Sequence, residues 1–300
     1  MRQNTIGIDL GGTNIRVALV EDHGMILKEL NEKTEVEKGP EFVINKMVRM
    51  INEINQGENV KSVGIGAPGP LDLKKGLILD PPHLPGWTEI PLVRILEKET
   101  GLNVFLDNDA NAAALAESLL GAGRDYESVY YITISTGVGA GFVINGKIFQ
   151  GAQGYAGEIG NMIVNNAGQS YLGLNRGALE GITSGSSITR EGMVRLGVKG
   201  GTEEVFLLAK NGDIVANEII DEVIKHMAIA IANIIHTINP AVFILGGGVM
   251  KSEQQILEPL REKVKEFVYP GLKEIIRIHP AQLGTRAGIV GASLIPRQYE

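Results

Sequence analysis

Apolar positions recur along this chain in short runs that end in glycine. "TIGIDLGGTNIRVALV" (5–20) reads as a strand, a tight polar turn from Asp9 to Asn14 and a second strand, with "EDHG" turning into a third at Met25–Leu30. The pattern returns in "VYYITISTGVGAGFVINGKIFQG" (129–151): strand, glycine-and-hydroxyl turn, strand, the Asn145–Gly146 hairpin signal, and strand. Two copies of one supersecondary unit predict two related domains, with a boundary near residue 118.

Helical spacing covers 41–54, and "VKSVGIGAP" (60–68) reads as a buried strand. In "VFLDNDANAAALAESLLGAG" (104–123) a strand runs into an alanine-rich helix, and Asp107, Asn108 and Asp109 stand on the junction. Further on come a polar stretch, a long helix at 214–240 stopped by Pro240, and the strand "AVFILGGGVM" (241–250). A helix at 252–267, a strand at 274–281 and a closing helix at 285–295 follow. Strands alternating with helices predict α/β domains with mixed sheets flanked by helices.

One segment breaks the pattern. "GEIGNMIVNNAGQSYLGLNRGALE" (157–180) lacks a strand or helix period for most of its length, yet it carries Ile159, Met162, Ile163, Val164, Leu172, Leu174 and Leu179. A long loop with that much apolar content predicts function rather than disorder.

Composition narrows the partners. With 300 residues, 44% hydrophobic and a net charge of −7, the chain reads as globular, without a basic face for nucleic acid. "MRQNTIGIDLGG" runs straight into a strand without a leader, and no apolar run spans a bilayer, so a cytoplasmic location is expected. Zero cysteines exclude disulfides and thiolate metal sites. His23, His83, His226, His236 and His279 are scattered without metal-ligand spacing.

Three glycine turns follow apolar strands: "DLGGTN", "STGVGAG" and "LGGGVM". Each brings backbone N–H groups near an anion because no side chain intervenes, with hydroxyls from Thr13, Ser135 and Thr136 beside them. None is a Walker A loop, and "STGVGAG" returns to a strand instead of opening a helix, which disfavours a dinucleotide fingerprint.

Together with "GIGAPGP", "LPGW", "DNDANAAALAE", "TISTGVGAGFVINGKIFQGAQGYAGEIG" and "NPAVFILGGGVM", these turns make the chain resemble the ROK family of bacterial sugar kinases and sugar-responsive repressors. The resemblance implies two ribonuclease H-like domains of the actin and hexokinase type with the active site in the cleft between them. It implies a smaller domain of 1–117 plus 286–300, a larger one of 118–285, and a homodimer. ATP phosphates would lie on Asp9, Gly11, Gly12, Thr13, Asn14, Ser135, Thr136, Gly137 and Gly139, and the adenosine near Gly246, Gly247 and Gly248. The sugar would meet Gly66, Pro68, Gly69, Asn108, Asp109, Glu158, Asn161 and Glu180.

Phosphoryl transfer needs positioning and charge neutralisation more than covalent chemistry, plus a carboxylate to take the hydroxyl proton. Asp109 is the expected base, aligned with the family's catalytic aspartate; its alternative reading is the N-cap of the alanine-rich helix. Asp107 reads as a helix-start or surface acid. Asp9 is expected to orient Mg²⁺ through water.

The resemblance also shows a departure. Where most members carry one His and three Cys that hold structural Zn²⁺, this chain has Asn161, Tyr171, Gly173 and Ala178, so no structural zinc is expected. Tyr171, Leu172 and Leu174 are expected to order the loop by packing instead. The expected activity is ATP-dependent phosphorylation of a hexose, glucose at its 6-hydroxyl first; fructose, mannose and N-acetyl amino sugars are alternatives, as is a catalytically silent sugar sensor. The family's regulators carry an N-terminal helix-turn-helix, whereas Ile6 here already belongs to the first phosphate strand.

Overall fold

The structure, a computed structural model, describes residues 4–166, 170 and 173–299. The chain divides into two compact units: Met1–Arg124 with Gly141–Ala156 and Thr285–Glu300, and Asp125–Ala140 with Gly157–Gly284.

The first unit is built on β1 (Thr5–Leu10), β2 (Asn14–Val20), β3 (Ile26–Lys33), β4 (Ser62–Ala67) and β7 (Asn103–Asn108), in the order β3-β2-β1-β4-β7. Strands β1 to β3 form an antiparallel meander, and β4 and β7 add in parallel to β1. A two-stranded ribbon, β5 (Leu71–Asp72) and β6 (Leu77–Ile78), follows β4. Helix α1 (Pro40–Asn55) begins with proline at its first turn and buries Val43, Met47, Met50, Ile51 and Ile54, the three-and-four spacing of one face. That face joins Ile6, Ile8, Ile65, Trp87 and Leu96 in one core, each large side chain contributing about 1.5–3 kcal/mol. Helix α2 (Leu92–Thr100) adds Leu92 and Leu96 to it, an element beyond those predicted.

Helices α3 (Asp109–Leu120) and α9 (Ala287–Leu294) pack by a different rule, with backbone nearly touching backbone. A Cβ at Gly291 would stand 1.7 Å from the Ala112 carbonyl oxygen, and one at Gly64 1.9 Å from that of Ala292. The run of alanines in α3 is therefore a packing requirement. Because α3 continues through Leu120 and Gly141 abuts Asn111 and Ala114, the first unit reaches Arg124 and takes in 141–156, where the sequence reading divided the chain at 117/118.

The second sheet repeats the first, with β10 (Lys147–Ile148), β9 (Val138–Ile144), β8 (Ser128–Ile134), β11 (Val242–Gly246) and β12 (Ile278–Pro280) in the order β10-β9-β8-β11-β12. Asn145 and Gly146 make the β9–β10 turn with positive φ, as the hairpin signal predicts. All five residues of β11 are buried, as a central strand with parallel neighbours requires. The polar stretch after the long loop folds into α4 (Glu180–Thr183), α5 (Gly185–Leu196) and α6 (Gly201–Lys210). Helix α7 (Ile214–Ile238) is capped by the Asp213 side chain on Ala216 N–H and stops at Asn239, which is left-handed, before Pro240. Helix α8 (Glu253–Lys265) follows β11, and the last strand is shorter than the predicted 274–281. No helix among the described residues is long and apolar enough to cross a membrane.

Candidate active site

In the first unit the chemistry gathers at the carboxyl ends of adjacent parallel strands, where open α/β sheets bind ligands. Asp9 on β1 is in register with Gly66 on β4, which pairs with Asp107 on β7, and Ala67 pairs with Asn108. A Cβ on Gly66 would lie 3.2 Å from the Ala112 Cβ, tighter than ordinary contact, and 3.5 Å from the Asp109 Cα, so glycine there lets the strand end lie against the first turn of α3. Pro68 and Gly69 continue that strand end.

The β7–α3 junction removes the alternative reading of Asp109 as a helix cap and corrects the reading of Asp107. The N-cap of α3 is Asn108, whose side-chain oxygen accepts from the N–H of Ala110 and Asn111, so Asp109 is the first helical residue and its side chain is exposed. Asp107 is neither helix start nor surface acid: it is 1% exposed. Its Oδ1 accepts from Asn108 N–H at 2.7 Å and Asn111 Nδ2 at 2.8 Å, and its Oδ2 from Gln150 Nε2 at 2.7 Å. Burial pushes its pKa up, and the three N–H donors oppose that shift. Periodicity could not show this, since Gln150 lies 43 residues further along.

The Asp9–Asn14 turn is fastened from behind by buried Thr34, which donates its hydroxyl to Gly11 O at 2.6 Å and its N–H to Thr13 O at 3.0 Å. A Cβ on Gly12 would meet His83 O at 2.6 Å, so the turn presents bare backbone. Asp9 Oδ2 is held by Arg16 Nη2 at 2.7 Å, and the same Nη2 donates to Thr285 O at 2.7 Å. Asp9 Oδ1 takes no hydrogen bond among the described residues, which leaves one oxygen for a hydrated cation. This set suits Mg²⁺ held mainly by phosphates and water; among the described residues no cluster of three His, Cys, Asp or Glu could hold a metal.

In the second unit, Ser135, Thr136 and Gly248 line a cavity of about 470 Å³ together with Gly185, Thr189, Thr202, Phe206 and Lys251. A mainly hydroxyl and glycine lining with one ring, one lysine and Glu203 fits a nucleotide. Gly246 and Gly247 stand behind it for packing reasons: a Cβ on Gly246 would meet the Tyr131 hydroxyl at 2.4 Å, and Gly247 has φ +92° against Ile134. Gly139 lies within β9. Sequence reasoning missed Thr189, Thr202, Phe206 and Lys251, because the first three sit on helices that read only as polar stretch; Lys251, next to the third glycine turn, was the one with a signal.

The long loop is held without the family's zinc ligands. Asn161 Oδ1 accepts Asn175 N–H at 2.6 Å, and the N–H groups of Val164 and Leu179 donate to Gly177 O and Met162 O. Ile163 and Ala178 form an isolated bridge. Asn161 thus spends its amide oxygen inside the loop. Tyr171 and Leu172, expected to order it, lie outside the described residues, and Leu174 is half-buried. Glu180 Oε2 accepts Val138 N–H at 2.8 Å. Crowding by surrounding protein and the charge of Glu180 push the Glu158 carboxyl up, although its side chain keeps contact with solvent.

Two sheets of the same strand order, each flanked by helices and each ending in a glycine turn, define a duplicated α/β protein of the actin and hexokinase fold. The ROK family profile matches residues 5–298. A glucokinase from Thermotoga maritima is 37% identical over 98% of this chain and 97% of its own. The structure of a ROK hexokinase from Thermus thermophilus superposes with TM-score 0.86 at 33% identity, covering 98% of this chain and 97% of that one. A ROK glucokinase from Streptomyces griseus, solved with glucose and AMPPNP, gives 0.83 at 30% identity, covering 98% and 99%. The chain belongs to the ROK family.

Proposed function

We propose that this chain transfers the γ-phosphoryl group of ATP to a hexose hydroxyl, with the 6-hydroxyl of glucose as the first candidate. The observation that carries this reading is Asp109, an exposed carboxylate at the start of α3 beside the bare strand end of Gly66. The groups proposed for sugar hydroxyls are Asn108, Gly66, Pro68 and Gly69 in the first unit and Glu158 and Glu180 in the second, where Asn161 orders the loop that bears the two glutamates.

The turns at Gly11–Asn14 and Ser135–Gly137 cradle phosphates, and the cavity at Gly248 takes the nucleoside. Asp9 would hold hydrated Mg²⁺ through water, and the ion when bound would neutralise phosphate charge. As the hydroxyl attacks phosphorus, Asp109 accepts its proton, a contribution of about 10²- to 10⁴-fold. Fructose, mannose and N-acetyl amino sugars are same-class acceptors, and a cytoplasmic homodimer is the expected working form.

ADP release from ATP and Mg²⁺ over a panel of free sugars tests the reading, with Asp109→Asn alongside. Sugar-dependent turnover that collapses in the variant supports it. Sugar binding without ADP release would make the chain a sensor and remove Asp109 from catalysis.

A further inference from the structure

The acid expected on the sugar is also bolted to the nucleotide turn. Three hydrogen bonds tie residues 180–186 to residues 135–138. Glu180 Oε2 accepts Val138 N–H at 2.8 Å, Gly185 N–H donates to Ser135 O at 2.7 Å, and Ser186 N–H donates to Thr136 O at 3.4 Å. Ser135 and Thr136 are the two residues of that turn that line the 470 Å³ cavity.

Glycine makes this approach possible. A Cβ on Gly137 would stand 2.6 Å from Glu180 Oε2, and a Cβ on Gly160 would stand 3.2 Å from the same oxygen and 2.6 Å from Val138 O. The two glycines leave a slot the size of one carboxylate between the loop and the turn. Glu180 Oε1 takes no hydrogen bond among the described residues, so one oxygen of this rigid, planar group is committed and the other is open.

We propose that Glu180 is a coupling residue: Oε2 holds the nucleotide turn while Oε1 receives a sugar hydroxyl, so that each ligand tightens the site of the other. The inference rests on the hexose-kinase reading above. A sugar bound to Oε1 fixes the plane of the carboxylate and with it the Val138 N–H and the turn. By linkage the effect is reciprocal, and couplings of this kind are typically about 5- to 150-fold in affinity. Glu158 acts differently, because among the described residues no hydrogen bond joins its side chain to the turn and its role ends at the sugar.

The test is calorimetric titration of the full chain with Mg²⁺ and AMPPNP, with and without saturating glucose or whichever panel sugar binds. In the wild type the sugar is expected to tighten AMPPNP about fivefold or more. Without sugar, Glu180→Ala is expected to weaken AMPPNP about fivefold or more, while Glu158→Ala weakens sugar and leaves sugar-free AMPPNP binding within about twofold. If Glu180→Ala does not fold, Glu180→Asp, whose shorter side chain draws the carboxylate back from the Val138 N–H, is expected to give the same weakening. Unchanged AMPPNP affinity in the folded variant, equal weakening by Glu158→Ala, or no effect of sugar on the wild type would overturn the coupling alone. Failure of the wild type to bind AMPPNP or any sugar would overturn the kinase reading with it.

Discussion

The carboxylate of Asp107 and the amide of Gln150, far apart in sequence, meet at 2.7 Å beneath the junction that carries Asn108 and Asp109. With Asn111 Nδ2 and Asn108 N–H on its other oxygen, the buried acid fixes the corner from which the proposed base projects. Asp107→Ala leaves these donors without their acceptor and is expected to lower stability by about 1–3 kcal/mol. Urea denaturation checks this, and an unchanged midpoint would show that water replaces the carboxylate without cost.

Gly291 lets α9 lie on α3 at backbone distance, since any Cβ would fall 1.7 Å from Ala112 O. Overpacking of this kind costs about 1–3 kcal/mol and occasionally more. Gly291→Ala is expected to lower the melting temperature by several degrees. A variant that melts with the wild type would mean that the two helices separate freely.

Asn161 pins Asn175 across the loop. Its hydrogen bond is worth about 0.5–1.5 kcal/mol, which corresponds to roughly a 2- to 10-fold change in local opening. Arg176 is exposed and is the one Lys or Arg in 157–180, so trypsin reports that opening. Asn161→Ala is expected to be cut there faster by that factor; identical cleavage rates would assign loop order to other contacts.

His279 accepts or shares a proton with the Tyr126 hydroxyl at 3.2 Å, and burial, with the charges of Arg261 and Arg277, holds its pKa below the ordinary histidine value. A folded pKa lower than the unfolded one means the unfolded chain binds the proton more readily. The stability contributed is therefore present above about pH 6.5 and is lost as pH falls through the folded pKa. Between pH 8 and pH 5 the wild type is expected to lose more melting temperature than His279→Gln. Parallel losses in the two proteins would remove His279 as the cause.

Much of this was legible in local pattern. The meander, the Asn145–Gly146 hairpin, the helices at α1, α7 and α9 and the three glycine turns all follow from spacing and turn chemistry, which act over a few residues. Asp107 was misjudged because burial is a property of what arrives from elsewhere, here Gln150 and the α3 turn. The cavity residues Thr189, Thr202 and Phe206 were missed because helical positions facing a cavity have the same spacing as positions facing solvent.

The sequence by itself determined the duplicated α/β plan, the family, and the replacement of four metal-ligand positions by Asn161, Tyr171, Gly173 and Ala178, since these depend only on residue identity and order. Tertiary structure decided what the motif residues touch. It placed Gly248 on the cavity and Gly246 against Tyr131, put Asn108 rather than Asp109 at the helix cap, and set Glu180 on Val138. Each of those outcomes turns on distances of a few ångströms between segments remote in the chain, which no local pattern encodes.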